Sequence, residues 1–212
     1  MDDDWNAIDR KLDMLTLAIQ AGGESRRMGS DKALLPFLGQ PLILRVLTHL
    51  ARLADEVLVT TNRLEDYRFL RIPLFPDLIP GVGALSGLYT ALSAAQYPLV
   101  AVVACDMPFA SADLLSFARD RLILAEADLA IPLTVEGYEP FHAVYRRETC
   151  LPAVKNALEA GERRLISWFK EVKLAVLQPD EVAVYDPQGL AFWNLNTSEE
   201  LRQAEEIARQ HP

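Results

Sequence analysis

A short apolar segment that ends at two adjacent glycines limits most strongly what this chain can fold into. Residues 15–19 read LTLAI, and Gly22 and Gly23 follow after two further residues. An apolar run of this length is typical of a buried strand, and paired glycines let the backbone turn sharply and expose its N–H groups. The pattern therefore predicts a buried strand that opens into a loop able to approach a ligand closely.

Cationic side chains follow the glycine turn at once. Arg26, Arg27 and Lys32 lie here with Ser25 and a third glycine, Gly29. Arg pairs with phosphate oxygens as a bidentate fork, Lys supplies a point charge, and bare amides add donors. A strand, a glycine turn and fixed cations together indicate a loop that binds a nucleotide triphosphate. An ordinary surface turn with a charged rim is the alternative.

The spacing of this loop matches neither of two common glycine-rich phosphate loops. A P-loop has Lys directly after its second glycine, whereas Ser30 and Asp31 separate Gly29 from Lys32. The run Gly22-Gly23-Glu24-Ser25 also fails the G-x-G-x-x-G spacing of dinucleotide-binding proteins. Another class of nucleotide-binding loop is therefore predicted.

The first half of the chain alternates short apolar strands with helices. Predicted strands cover 15–19, 56–61, 71–75 and 99–104, and predicted helices follow Pro41, the glycine loop 81–87 and Ser111. This order predicts an α/β fold with a doubly wound, mostly parallel sheet that binds ligands at the carboxyl ends of its strands. Polar signals lie at such ends: the Gly22 loop, Asn62, Asp77 and Asp106.

Asp106 follows the most hydrophobic strand of the chain, residues 99–104. A carboxylate in that position is costly unless it reaches solvent or binds a cation. Mg²⁺ takes few protein ligands and shares the rest with water and nucleotide phosphates, so one Asp suffices. We therefore expect Asp106 to bind Mg²⁺ and to face Arg27 and Lys32 across the edge of the sheet. A cap on the loop before Ser111 is the alternative role.

The second half is less regular. Strands are predicted at 129–133, 140–145, 172–177 and 182–185, and helices at 152–160, at 163–169 and after Thr197. Thr197 and Glu200 fit a capping box at the start of the last helix. His142 is expected to be a half-buried strand residue, and Cys105 and Cys150 small core residues. No Ser/His/Asp arrangement or zinc-binding spacing is present in the sequence.

Length, composition and charge limit the classes of protein to which this chain can belong. A chain of 212 residues with 50% hydrophobic content predicts one domain at 15–212 with a large core, preceded by an extension at 1–14. Residues 1–13 have helical spacing that leaves open a short amphipathic helix and a frayed tail. The net charge of −9 argues against a nucleic-acid partner. Three features favour the cytoplasm over a membrane or secretion. The sequence starts with acidic residues, it has no apolar run of about 18 residues, and its two cysteines are scattered.

The stretch AGGESRRMGSDK at residues 21–32 resembles the signature loop of molybdenum cofactor guanylyltransferases. That family belongs to a wider superfamily of nucleotidyltransferases with a glycosyltransferase-A-like, Rossmann-type fold. Gln20 departs from the Leu that the family usually has at this position. Segments 104–109, 139–147, 160–164 and 192–197 are also similar to family segments, so the resemblance spans nearly all of 15–202.

The resemblance implies a single-domain, three-layer α/β/α fold of the nucleotide-diphospho-sugar transferase type, with a mostly parallel mixed sheet. Residues 15–110 are expected to bind GTP and Mg²⁺, and residues 125–200 to dock molybdopterin. The implied catalytic residues are Arg27, Lys32 and Asp106, with Asp106 as the metal ligand. The implied nucleotide contacts are Gln20, Ala21, Gly22, Gly23, Lys32, Asn62, Asp77 and Asp106. Candidate pterin contacts are Arg163, Arg164, Asn194 and Asn196, with an exposed basic pair and a helix cap as the alternative.

The reaction that the resemblance implies is guanylyl transfer. The terminal phosphate of molybdopterin attacks the α-phosphorus of GTP, pyrophosphate leaves, and the guanine dinucleotide form of the cofactor results. Implied partners are GTP, molybdopterin and molybdoenzymes or chaperones that receive the product, with no nucleic acid and no membrane. One alternative is another nucleotidyltransferase, such as a cytidylyltransferase for the same pterin or for a sugar or alcohol phosphate. The other is a nucleotide-binding regulatory protein without turnover.

Overall fold

The computed structural model describes residues 13–22 and 31–210. Several predicted features lie outside these ranges: the extension up to residue 12, and Gly23, Ser25, Arg26, Arg27 and Gly29 of the glycine loop. The site residues that can be placed are therefore Gln20, Ala21, Gly22, Lys32, Asn62, Asp77 and Asp106. All of them lie at or just beyond the ends of strands or at the first residue of a helical turn.

The described strands alternate with helices along most of the chain. The strands are β1 (Leu15–Gln20), β2 (Pro36–Phe37), β3 (Gln40–Pro41), β4 (Glu56–Thr60), β5 (Leu74–Phe75), β6 (Leu99–Ala104), β7 (Leu129–Thr134), β8 (Gly137–Tyr138), β9 (His142–Arg146) and β10 (Leu174–Leu177). The α-helices are α1 (Leu42–Leu50), α2 (Leu64–Tyr67), α3 (Ala84–Ala94), α4 (Ala112–Leu124), α5 (Arg147–Glu159), α6 (Pro179–Tyr185) and α7 (Ser198–Gln210). Short 3₁₀-helices cover Lys32–Leu34, Ala51–Leu53, Arg68–Leu70 and Phe169–Glu171.

One large sheet runs in the order β10-β7-β9-β6-β1-β4-β5, with β8 paired to β7. β1 pairs in parallel with both β4 and β6, and β9 inserts antiparallel between β6 and β7. Every residue of β1 and β6 is buried, as expected for strands covered on both faces. The predicted mostly parallel, mixed sheet is confirmed.

Helices cover both faces of this sheet. Leu17 and Ile19 of β1 pack in one core cluster that includes residues of α1 and α4, whereas Ala18 faces a second cluster that includes residues of α3 and α5. This alternation follows from the period of two along a strand. A third, smaller cluster packs α7 against the β2–β3 hairpin through Ala204 and Phe37. The three-layer α/β/α architecture is thus the one expected.

Two predicted elements of the second half are wrong. Residues 182–185 belong to α6 and not to a strand, because Pro179 starts a helical turn and Gln178 forms a capping box with Glu181. The helix predicted at 163–169 is replaced by turns followed by the 3₁₀-helix. Gly161, with φ of +81°, follows the end of α5, and the chain does not re-enter an α-helix there.

Other boundaries shift without changing the type of element. α5 begins at Arg147, so Pro152 lies inside the helix and not at its start. The strand predicted at 71–75 shortens to β5, and Ala84–Gly87, predicted as loop, form the first turn of α3. The predicted capping box at the start of α7 is confirmed, because the Glu200 N–H donates to Thr197 Oγ1 over 3.1 Å and the Glu200 carboxylate accepts from the Thr197 N–H over 2.8 Å. No helix within 13–22 and 31–210 has the length and apolar character that a membrane span requires.

Candidate active site

A cavity of about 380 Å³ opens where β1 and β6 end. Its walls come from distant parts of the chain: Gln20, Gly22, Asp31, Lys32, Ala104, Cys105 and Asp106 from the first half, and Phe141, Asn194 and Asn196 from the second. The carboxyl ends of parallel strands are where open α/β sheets bind ligands. The cavity therefore lies where the sequence predicted a site.

Lys32 and Asp106 meet in the wall of this cavity. The Lys32 Nζ atom lies 3.3 Å from Asp106 Oδ2, and both side chains are mostly buried, with 19% and 17% of their surface exposed. Lys32 Nζ also donates to Asn196 Oδ1 over 2.7 Å. The expected proximity of the cation and the carboxylate across the sheet edge is confirmed. Arg27, the other predicted catalytic cation, lies outside the described residues.

Lys32 is the first residue of a short 3₁₀-helix. Asp31 caps this helix through Oδ1, which accepts from the Ala33 N–H over 3.1 Å. The other oxygen, Oδ2, accepts from the hydroxyl of the buried Tyr67 over 2.7 Å. Burial and this hydrogen bond raise the pKa of Tyr67 well above its usual value, so the hydroxyl is a permanent donor. The hydrogen bonds of Asp31 thus fix the turn that carries Lys32 to the buried Tyr67.

The segment that carries Asn194 and Asn196 is hydrogen-bonded to the chain just after β6. The Leu195 N–H donates to the Asp106 carbonyl over 3.0 Å, which places Asn194 and Asn196 beside the carboxylate. The Glu200 carboxylate accepts from the Asn196 N–H over 2.7 Å, and these backbone donors lower the pKa of Glu200. A charge-assisted cap therefore fixes the segment that faces Lys32.

The oxygen atoms around Asp106 suit a small, hard cation. Lys32 contacts Asp106 Oδ2, and no hydrogen bond from the described part of the chain reaches Oδ1. Within 13–22 and 31–210, no three His, Cys, Asp or Glu side chains gather closely enough to hold a metal on their own. Asp106 can supply one carboxylate to a divalent cation that takes its other ligands from phosphate and water.

Asn62 and Asp77 lie at the ends of the next two strands, β4 and β5. The Asn62 Nδ2 amide donates to Asp77 Oδ2 over 2.8 Å, and the Asp77 N–H donates back to Asn62 Oδ1 over 2.9 Å. The two residues do not line the cavity but extend the same sheet edge beyond it. The sequence singled out both residues separately, and the structure shows that they form one paired unit.

Gln20, Ala21 and Gly22 form the described part of the first loop. The Ala21 N–H donates to the Thr60 carbonyl over 2.9 Å, which continues the β1–β4 pairing by one residue. The Gln20 side chain is 7% exposed and donates from Nε2 to the Ala84 carbonyl over 3.0 Å. Gln20 thereby ties the first loop to the start of α3.

Gly87 leaves the room that the Gln20 amide occupies. A Cβ atom on Gly87 would lie 1.6 Å from Gln20 Nε2, so the amide would have to move. Moving it breaks the bond to Ala84 and leaves a buried amide without its partner. The glycine at position 87 thus has a packing cause.

We expect Gly87→Ala to lower the free energy of unfolding by about 1–2 kcal/mol, measured by urea unfolding. Overpacking a core costs about 1–3 kcal/mol, which outweighs the helix propensity of about 1 kcal/mol that Ala gains over Gly. In a Gln20→Ala background the same change should stabilise the protein, because only the propensity remains. A destabilisation of equal size in both backgrounds would contradict this packing.

Cys105 and His142 do not provide reactive groups at neutral pH. Burial, with Asp106 and Asp31 nearby, raises the pKa of the Cys105 thiol well above its usual value, so the thiol stays protonated. His142 is fully buried and not half-buried as predicted, and its Nε2 accepts from the Ser111 N–H over 3.0 Å. Burial lowers the pKa of His142 to about 4. The ring is therefore neutral and structural.

The structure also separates the predicted pterin contacts. Asn194 and Asn196 line the cavity, whereas Arg163 and Arg164 are exposed in the turn after α5 and do not line it. Phe141 lines the cavity although it was not predicted as a site residue. Its position directly before β9, beside the strand end that holds Asp106, was the available signal.

Comparison with known proteins places this chain in a family. Residues 17–175 match the family described as MobA-like NTP transferase domain. A protein of Peptoclostridium acidaminophilum described as a probable molybdenum cofactor guanylyltransferase is 32% identical over 197 residues, 91% of this chain and 89% of that protein.

Solved structures extend the similarity to the fold. A molybdopterin-guanine dinucleotide biosynthesis protein A from Archaeoglobus fulgidus superposes with a TM-score of 0.79 at 25% identity, over 92% of this chain and 99% of that one. A 4-diphosphocytidyl-2C-methyl-D-erythritol synthase from Anaerococcus prevotii shares the fold, with a TM-score of 0.69 at 15% identity over 96% and 99% of the two chains.

Proposed function

The chain belongs to the MobA-like NTP transferase family and is a nucleotidyltransferase, and from this premise we propose that it transfers GMP from GTP to the phosphate of molybdopterin. The observation that carries the proposal is the Lys32–Asp106 pair in the wall of a cavity lined from both halves of the chain. The first half, 15–110, would bind GTP and Mg²⁺, and the second half, 125–200, the pterin. The product would be the guanine dinucleotide form of the molybdenum cofactor.

The transfer is an in-line displacement between two anions. A phosphate oxygen of molybdopterin forms a bond to the α-phosphorus of GTP, and the bond from that phosphorus to the bridging oxygen breaks as pyrophosphate leaves with its electrons. The attacking group is already an anion, so no general base or covalent protein intermediate is required. The protein's task is to align the two phosphates and to neutralise charge.

The proposed site residues share that task, and Arg27 and Gly23 among them lie outside the described residues. The Lys32 ammonium would contact the phosphates and Asp106 would hold Mg²⁺, which neutralises the triphosphate when it is bound. Asn62 and Asp77 would contact the nucleoside, and Arg27, Gly22 and Gly23 the phosphates. Phe141, Asn194 and Asn196 come from the second half of the chain and line the same cavity as Lys32 and Asp106, which supports a place there for the pterin.

The cellular setting is also a proposal. Both cysteines, Cys105 and Cys150, are free thiols, which supports a reducing compartment such as the cytoplasm. The dinucleotide product must pass to proteins that use it, so molybdoenzymes or their chaperones would be the recipients.

Magnesium-dependent release of pyrophosphate with a pterin acceptor tests the proposal. We expect GTP to be used with at least tenfold higher kcat/KM than CTP, ATP or UTP, since a selective nucleoside site discriminates at this level. Preference for CTP would replace the function with cytidylyl transfer. Saturable binding of GTP without turnover, with the pterin supplied, would favour a regulatory nucleotide-binding protein.

A further inference from the structure

Asp31 connects two segments at the sheet edge. One is the turn of Lys32, the proposed phosphate contact, and the other is the segment after β4 that contains Asn62, a proposed nucleoside contact. Its Oδ1 accepts from the Ala33 N–H, in the turn that starts with Lys32. Its Oδ2 accepts from the Tyr67 hydroxyl over 2.7 Å and lies 3.5 Å from Arg63 Nη1. One carboxylate thus connects the turn of Lys32 to the segment that follows β4.

Tyr67 is the stronger of the two donors on that segment. Its side chain has no exposed surface and packs in the same core cluster as Leu70, so its hydroxyl has a fixed position. The Arg63 side chain is 58% exposed and its 3.5 Å contact is long. Exposed ion pairs of this kind contribute little, whereas a hydrogen bond from a buried donor to a carboxylate is strong.

The same segment begins at Asn62, which is paired with Asp77. The hydroxyl of Tyr67 is therefore five residues along the chain from a candidate nucleoside contact and one side chain away from the turn of Lys32. A shift of this segment moves both ends of the proposed nucleotide site together. Without the bond to Tyr67, Asp31 would keep only the Ala33 cap and an exposed cation.

We infer that Tyr67 is a positioning residue that acts through Asp31 to hold the Lys32 ammonium in the cavity. The inference rests on the proposed function for the identity of the group that Lys32 contacts. Tyr67 itself is fully buried and does not line the cavity. Its hydroxyl orders the turn so that Lys32 Nζ reaches Asp106 and Asn196.

The variant Tyr67→Phe removes one hydroxyl and keeps the buried ring. We expect kcat for pyrophosphate release to fall about tenfold with little change in the KM for GTP, because displacement of a charged group by a fraction of an ångström weakens the transition state. In a Lys32→Ala background the same change should alter kcat less than about twofold, since residues that act as a unit are not additive. Asp31→Asn, which keeps a carbonyl oxygen for only one of the two donors, should retain more activity than Asp31→Ala and less than the parent.

A readout that needs no substrate separates this inference from the proposed function. The rate at which an amine-modifying reagent labels Lys32, measured by peptide mass spectrometry, should at least double in Tyr67→Phe. Tyr145→Phe is the matched control, because Tyr145 is equally buried and its hydroxyl donates to the Pro140 carbonyl and not to Asp31. Its labelling of Lys32 should stay at the parent rate.

The inference is wrong if Tyr67→Phe leaves Lys32 labelling at the parent rate, or if the loss of kcat is equally large without Lys32. If the parent protein itself releases no pyrophosphate, the proposed function fails, and the labelling experiment still decides whether Tyr67 positions Lys32.

Discussion

Replacement of Asp106 by Asn is expected to lower the rate of nucleotidyl transfer by more than about 10³-fold. Loss of a single preorganised charge contact costs about 10²–10³ in rate, and this change removes the metal ligand together with the partner of Lys32. Asn has nearly the same size as Asp, and the backbone contact of Asp106 to Leu195 is untouched, so the fold should persist. Pyrophosphate release at several Mg²⁺ concentrations measures the effect.

Asp120→Asn is the control for Asp106→Asn. Asp120 carries the same charge but lies exposed on α4, where it pairs with Arg119. Its replacement should leave the transfer rate within about twofold of the parent, as exposed ion pairs contribute little. An Asp106→Asn protein that turns over at the parent rate would end the assignment of Asp106 as the metal ligand.

The second large effect is expected for Lys32→Met, which keeps an unbranched side chain but removes the ammonium. We expect kcat to fall about 10²–10³-fold, equivalent to about 3–4 kcal/mol, because this charge is aimed into the cavity before the reaction begins. Lys32 and Asp106 are mostly buried, so the thermal midpoint is measured beside kcat to separate a loss of stability from a loss of catalysis. Pyrophosphate release with saturating GTP and pterin measures kcat.

Lys155→Met is the corresponding control, because Lys155 is 54% exposed on α5 and pairs only loosely with Glu159 at 3.7 Å. Turnover in that variant should match the parent. A loss of less than about threefold in Lys32→Met would mean that Lys32 does not stabilise the transition state, since preorganised contacts cost far more than that when removed.

The sequence predicted the parts of the fold that depend on local pattern. β1 and β6 are short, largely apolar segments because both of their faces are covered, and at 6 residues each they are shorter than a typical buried helix. α6 was predicted as a strand because its Val182-Ala183-Val184-Tyr185 run favours β structure. The capping box at Gln178 and the proline after it outweigh that preference.

The site, too, could be predicted from the sequence only in part, namely where its residues follow the ends of strands. Asp106 and Lys32 could be expected to meet because parallel strands end at one edge of the sheet, whatever the length of chain between them. Tyr67 contacts Asp31 across 36 residues, and nothing in its own neighbourhood of the sequence marks it. Side-chain contacts of that kind follow from packing and not from periodicity, so only the structure could supply them.

The most direct measurement is a crystal structure of the protein with GTP and Mg²⁺. The expected result is a magnesium ion about 2.1 Å from a carboxylate oxygen of Asp106 and bound to the triphosphate, with Lys32 Nζ on a phosphate oxygen. A triphosphate bound elsewhere, with Lys32 still on Asp106 and no metal between protein and nucleotide, would contradict the central claim.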